Sequence, residues 1–300
     1  MKIARTVLAA ACAATLALAA HAQDPGRALG GLLRQIIPGG LPSLPQPARP
    51  PATGDLVQLL AQSVEQIDEP KELEIGRQLA AVLLGTKPLH PDAALQRYVN
   101  RLGRWISLQS TRPQLPWTFG VLDDPGFNAF AAPGGYVFVT QGLVDRVDEA
   151  ELAAILAHEI THVTARHHLK ALSMKARAGL ATQLVASQLR QNTAGAISAQ
   201  MLALGRNLYS SGLDQGDEFE ADGQGVALAA QSGFDPYGLA SVLLQLRAAP
   251  ADHPLFALTL STHPPAQQRL ERLEASMGSR FEALAVPPPT PIAQRLRQQP

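Results

Sequence analysis

The stretch DEAELAAILAHEITHVTARHHLKAL, residues 148–172, constrains the fold more than any other part of the chain. Its apolar residues recur with helical spacing, and acids stand in the first turn, where the helix dipole favours them. Four histidines and one acid fall within residues 153–168 of this segment. His158 and His162 are four positions apart, so at about 100° per residue they return to nearly the same face. Both imidazoles can therefore reach one tetrahedral ion. Glu159, beside the first of them, can take a proton from a water activated by that ion and pass it to a leaving amine. The alternative is a solvated helix face carrying stray histidines. The run Ala153, Ala154, Ile155, Leu156, Ala157 argues against it, because exposed polar faces are rarely so apolar.

A tetrahedral site needs a third protein ligand. His168 occupies the place of the last histidine in His-Glu-x-x-His-x-x-Gly-x-x-His, a pattern that needs glycine at 165 to turn the chain back. Here that position is Ala165, a strong helix former. In an unbroken helix His168 lies about 15 Å along the axis from His158, too far to share a metal. His167 and His168 are therefore expected to cap the end of that helix or to lie at the surface. DEFEAD, residues 217–222, offers a better source. Glu218 and Asp222 are four apart on one helical face, and Glu220 between them points elsewhere. One carboxylate can complete a His₂Glu catalytic site and leave the fourth position to water. A second, one turn away, can hold a ligand histidine through its free ring N–H. Taken alone these acids are an ordinary acidic helix start. Set beside His158 and His162, the ligand reading prevails.

The remainder of the chain sets the compartment and the architecture. Basic and acidic residues balance at 25 each, so no field favours nucleic acid or an acidic membrane surface. The single cysteine, Cys12, excludes a disulfide framework and a cysteine-based zinc cluster. Residues 1–22 are predicted to be a cleavable signal peptide: a basic start, an apolar stretch from Thr6 to Ala20, and small residues at the cleavage positions of Ala20-His21-Ala22. The apolar run is shorter than the roughly 20 residues of a membrane anchor, and Cys12 is a poor place for lipid attachment. An exported periplasmic protein is expected, soluble or at most peripheral to the membrane. Residues 23–54, with the Pro-rich PGGLPSLPQPARPPAT at 38–53, are predicted to be a disordered linker. The compact domain is placed at 55–286 and a disordered tail at 287–300. Within the domain, WTFGVL (117–122) and YVFVT (136–140) alternate as strands do, the second behind a PGG turn at 133–135, with GFNAFAA between them. The expected class is α+β, predominantly α, with a small antiparallel sheet beside the active-site helix.

NAFAAPGG (128–135), ELAAILAHEITHVTARH (151–167), EFEAD (218–222) and STHPPAQQRL (261–270) stand in the order found in metallopeptidase family 48. The chain resembles that family, which includes HtpX and the CAAX prenyl endopeptidases, and in particular its soluble periplasmic BepA-like and LoiP-like members. The resemblance covers roughly residues 60–280. It implies a zincin domain of the gluzincin type, holding one Zn²⁺ per chain on His158, His162 and Glu218, with Glu159 as general base. Asp222 would be the carboxylate behind a ligand histidine, and His263 a regulatory fourth ligand able to plug the water position. Arg269 would steady an acid or the carbonyl oxyanion. Asn128, Ala129, Phe130 and Ala131 would form an edge strand that pairs with an extended substrate. The activity implied is metalloendopeptidase action on unfolded or misassembled envelope proteins, or a holdase of the same fold with latent proteolysis. The sequence is expected to carry neither the transmembrane helices of the membrane-bound members nor a helical-repeat domain after residue 286. Neither processing of prenylated peptides in a bilayer nor docking through such a partner domain is implied.

Overall fold

The computed structural model describes residues 66–186, 210–250, 252–281 and 290–297, with the backbone alone for 179–186. The predicted signal peptide and Pro-rich linker lie outside the described residues. Helix α1 (Glu69–Leu84) opens where Asp68 accepts from the Lys71 N–H and Pro70 occupies the first turn, a place that needs no donor. Helix α2 (Ala93–Ser107) is capped by Asp92, which accepts from the N–H groups of Ala94 and Leu95. Its predicted face of Leu95, Tyr98, Val99 and Leu102 is buried.

The strands are β1 (Thr118–Leu122), β2 (Ala129–Ala132) and β3 (Tyr136–Thr140). They form one sheet in the order β1-β3-β2. Its pairing departs from the expected antiparallel arrangement: β3 pairs antiparallel with β2 but parallel with β1. The cause lies in the turn. Gly134 and Gly135 have φ of 78° and 98°, the region glycine enters freely, and fold β3 tightly back on β2. The next free edge of β3 then faces β1, which runs the same way. Alternation shows that strands exist; it says nothing about which neighbours they take. The outer edge of β1 is covered by side chains of α2. Gln96 both donates to the Val121 carbonyl and accepts from its N–H, at 2.8 Å each, and Asn100 accepts from the Phe119 N–H. Among the described residues, that leaves β2 as the open edge.

A short helix α3 (Gln141–Val144) leads into α4 (Glu149–Thr164), which starts with a capping box between Asp148 and Glu151. Every residue of α4 from Leu152 to Val163 is buried, so the helix runs through the core, not along its surface. It packs against α2 and β2, and against α6 (Gln215–Gln231) and α7 (Gly238–Ala248). Helix α5 (His167–Ala186) follows α4, and α8 (Ala257–Thr262) and α9 (Ala266–Met277) complete the wall of the site.

The tail expected to be disordered is ordered over residues 290–297. It carries α10 (Ile292–Arg297), whose Ile292 is buried in the main core. The Thr290 carbonyl accepts from the Glu149 N–H, and the Arg295 guanidinium donates to the Glu149 carboxylate at 2.8 Å. One apolar anchor and one ion pair at the start of α4 hold this segment, and its proline-rich surroundings in sequence conceal them. Among the described residues no helix is long and apolar enough to cross a membrane.

Candidate metal centre

Helix α6 reaches α4 at its closest point through a missing side chain. A Cβ on Gly225 would stand 3.0 Å from the Cα and N of His158, so only glycine lets the two backbones come this near. One and two turns earlier on α6, Asp222 and Glu218 are thereby set against the histidines of α4. The Nε2 atoms of His158 and His162 face each other at 2.9 Å. Glu218 Oε2 lies 3.7 Å from the first, and Oε1 lies 3.6 Å from the second. A tetrahedral ion with bonds of about 2.0–2.1 Å would hold its donors about 3.3 Å apart, close to this spacing. Glu218 Oε2 is buried and has no hydrogen-bond partner. A carboxylate oxygen left so is costly unless a cation completes it, and the donor set of two imidazoles and one carboxylate suits zinc. Burial raises the Glu218 carboxyl to about 8; the Arg269 charge opposes this, and the nearby carboxylates add to it.

The other sequence-predicted residues surround this cluster. Asp222 Oδ1 is 3.0 Å from Nδ1 of His158, with the ring nitrogen not aligned for a hydrogen bond. The Arg269 guanidinium grips the same carboxylate with two donors, at 2.9 and 2.5 Å. Burial would raise Asp222, but Arg269 and His158 outweigh it and hold the group well below the usual carboxylate range. Arg269 thus contacts an acid, one of the two groups named for it from the sequence. Glu159 is buried at the floor of the cleft, raised to about 8 by desolvation despite the Arg269 charge. Both histidine pKa values fall, first through burial.

The end of α4 corrects the expectation drawn from Ala165. The helix stops at Thr164, Ala165 is its C-cap, and Arg166 turns the chain with φ 61°. A left-handed non-glycine residue costs about 1–2 kcal/mol. Here the Arg166 guanidinium is anchored on the fully buried Glu72 at 2.8 and 3.0 Å, and on the Ile67 carbonyl at 2.5 Å. Glu72 belongs to α1, far away in sequence, so local propensity cannot report the break. After it, His167 and His168 point inward and are buried. Nδ1 of His167 lies 3.0 Å from Nδ1 of His162, and the His168 ring meets the His162 ring edge-on at 5.3 Å. His167 also forms a second possible cation group with Asp217 and Glu220. Sequence reasoning missed Glu72, Arg166 and His167.

A cleft runs along this cluster and is lined on the far side by Asn128, Ala129, Phe130 and Ala131. The Thr140 N–H donates to the Asn128 carbonyl, so the alternation of an antiparallel pair turns Ala129 and Ala131 outward from β3. Asn128 Oδ1 accepts from the Ala129 N–H, which leaves the Ala131 N–H and both carbonyls on the open edge. His263 caps the end of α8 over the cleft, with Nε2 3.7 Å from Glu218 Oε2.

Residues 90–277 match the sequence profile of Peptidase family M48. The chain belongs to this family. It is 30% identical over 210 residues to the beta-barrel assembly-enhancing protease of Escherichia coli (strain K12), covering 67% of this chain and 42% of that protein. It is 33% identical over 178 residues to the mitochondrial metalloendopeptidase OMA1 of Schizosaccharomyces pombe, covering 59% and 51%. With the metalloprotease LoiP of Escherichia coli (strain K12) it shares 29% over 186 residues, covering 62% and 70%. Among solved structures, the crystal structure of S. mikatae Ste24p aligns with a TM-score of 0.38 and 18% identity, covering 73% of this chain and 62% of that one. The chain spans less than half the length of the beta-barrel assembly-enhancing proteases it matches. All members of the proposed ligand set and Glu159 lie inside the matched M48 region.

Proposed function

We propose that this M48 chain is a zinc-dependent metalloendopeptidase acting on unfolded or misassembled proteins of the cell envelope. The observation that carries the reading is the convergence of His158, His162 and Glu218, with its orphaned oxygen, directly beside Glu159 in a cleft with an open strand edge. Bound zinc supplies Lewis-acid polarisation of a scissile carbonyl and makes water acidic near neutral pH. The chain's own residues do the remainder. The outward groups of Ala129 and Ala131 pair with an extended backbone, a contact that reads main chain more than side chain. Glu159 takes a proton from the attacking water and returns it to the leaving amine. Asp222, clamped by Arg269, fixes the ring of His158. The names of the relatives support peptidase chemistry, and that of the beta-barrel assembly-enhancing proteases supports envelope substrates. The signal-like first 22 residues support a periplasmic site of action.

A second reading, a holdase of the same fold with latent proteolysis, is favoured by one observation: His263 stands over the cluster, close to Glu218. In that reading it serves as a removable fourth donor. Zinc content and cleavage of an unfolded protein, measured for the chain, Glu159→Gln and His263→Ala, separate the two. The proteolytic reading expects zinc in all three and cleavage lost only in Glu159→Gln. Zinc in all three with no cleavage, His263→Ala included, would overturn it in favour of the holdase.

A further inference from the structure

The break after α4 has a chemical consequence at the metal centre. Each ligand histidine has a second ring nitrogen facing inward: that of His158 meets Asp222, and that of His162 meets His167 Nδ1 at 3.0 Å. An imidazole that offers Nε2 to a metal carries its proton on Nδ1. His162 Nδ1–H then points at His167, whose Nδ1 must present its lone pair, and the remaining proton of His167 sits on Nε2. That nitrogen faces Glu220 Oε2 at 3.6 Å and Asp217 Oδ1 at 3.9 Å, a direction in which carboxylates favour an N–H. The proton positions along this chain of groups are thus mutually consistent only when His162 donates and His167 accepts.

We propose that His167 is a positioning residue for the metal centre: it accepts the His162 Nδ1–H, fixing that ligand's tautomer and ring orientation. The proposal rests on the zinc reading above. The device is built from distant parts of the chain. The left-handed turn at Arg166, held by Glu72 and the Ile67 carbonyl, swings His167 back beneath α4; a continuous helix would carry it away. The alternative use of the same group, a second cation on His167, Asp217 and Glu220, conflicts with it. His167 Nε2 would need a lone pair where the tautomer chain puts a proton. Asp217 is moreover already met by the Lys170 ammonium at 2.7 Å.

The test compares the full chain with His167→Phe, which keeps a ring but no acceptor, and His167→Asn, whose Oδ1 can take the place of Nδ1. Zinc affinity is read by competition with a chromophoric chelator, and ligand geometry by the visible spectrum of the cobalt(II) form. Phe is expected to weaken zinc binding by about 10- to 100-fold and to alter the cobalt spectrum, the usual effect of losing a partner to a ligand histidine. Asn should restore both. Wild-type affinity in His167→Phe, or an Asn variant as weak as Phe, would overturn the proposal. A measurement on the unaltered protein guards against a Phe variant that does not fold. In the zinc-loaded chain with ¹⁵N-labelled histidine, NMR should place the proton on Nδ1 of His162 and on Nε2 of His167. The reverse assignment for His167, or two zinc ions per chain, refutes it. A wild-type chain that takes up no zinc overturns this proposal together with the metal reading beneath it, whereas zinc uptake with an indifferent His167 overturns this one alone.

Discussion

Replacing Gly225 by alanine should weaken metal binding and lower the stability of the metal-free chain by no more than about 2 kcal/mol. Two terms oppose each other. Gly→Ala within a helix is worth about 1 kcal/mol in propensity. At Gly225, however, the new methyl would sit 3.0 Å from His158 Cα and N and 3.3 Å from the Ala157 carbonyl carbon, all backbone atoms of a core helix. Relief needs α6 to retreat by a few tenths of an ångström, and overpacking of this kind costs about 1–3 kcal/mol. The net change is a loss of about 0–2 kcal/mol. The same retreat carries Glu218 and Asp222 away from the histidines, and zinc sites tolerate deviations of only about 0.2 Å. Zinc affinity should therefore fall by an order of magnitude or so, as for other disturbances around a ligand set. Gly223→Ala is the internal control, since a Cβ there meets nothing within 4 Å and should gain the full propensity term. Urea unfolding of the metal-free proteins and chelator competition measure the two quantities. If Gly225→Ala is stabilised as much as Gly223→Ala and binds zinc as tightly as the wild type, close helix contact is not what sets the site.

Removing Asp222 by Asp222→Ala should cost about 3–5 kcal/mol, because it leaves the buried Arg269 cation unpaired. The double variant Asp222→Ala/Arg269→Met should recover much of the stability and none of the zinc affinity, and thermal melting with zinc titration tests both. The Asp124 carboxyl, which burial alone would raise, is lowered by its hydrogen bonds from Lys87 and the Gly126 N–H and by the Lys87 charge. Its folded value being depressed, the contribution is present above about pH 3.9 and lost as pH falls through the folded value. Because both side chains are partly exposed, it amounts to less than about 1 kcal/mol. Urea midpoints of the chain and Lys87→Met should differ at pH 7 and converge as the pH falls below about 3.9. Ile292→Ala should destabilise by about 2–3 kcal/mol, as for a buried aliphatic, and an unchanged unfolding midpoint would show that α10 does not dock.

Much of the centre was legible because its decisive spacings are local. His158 and His162 are one turn apart on α4, as are Glu218 and Asp222 on α6, and four-residue spacing on a helix puts groups on one face whatever the surroundings. The buried face of α2 and the presence of three strands are legible for the same reason, since period 3.6 and period 2 belong to the chain itself. Strand neighbours were not, because β1 and β3 pair directly although β2 lies between them in sequence. Nor was the docked tail, whose anchoring lies in Ile292 and Arg295 meeting the start of α4.

What the chain determined by itself is therefore which side chains share a face: His158 and His162, with Glu159 beside them, on one apolar helix, Glu218 and Asp222 on another. What only the tertiary structure decided is how that set closes. Gly225 brings the two helices to backbone contact at His158. Glu72 and Arg166, 94 residues apart, force a left-handed break that Ala165 gives no reason to expect. Helix propensity is a small local preference, and a buried carboxylate gripping a guanidinium from across the fold outweighs it. That break turns His167 from an expected surface histidine into a buried neighbour of His162 in the candidate metal centre.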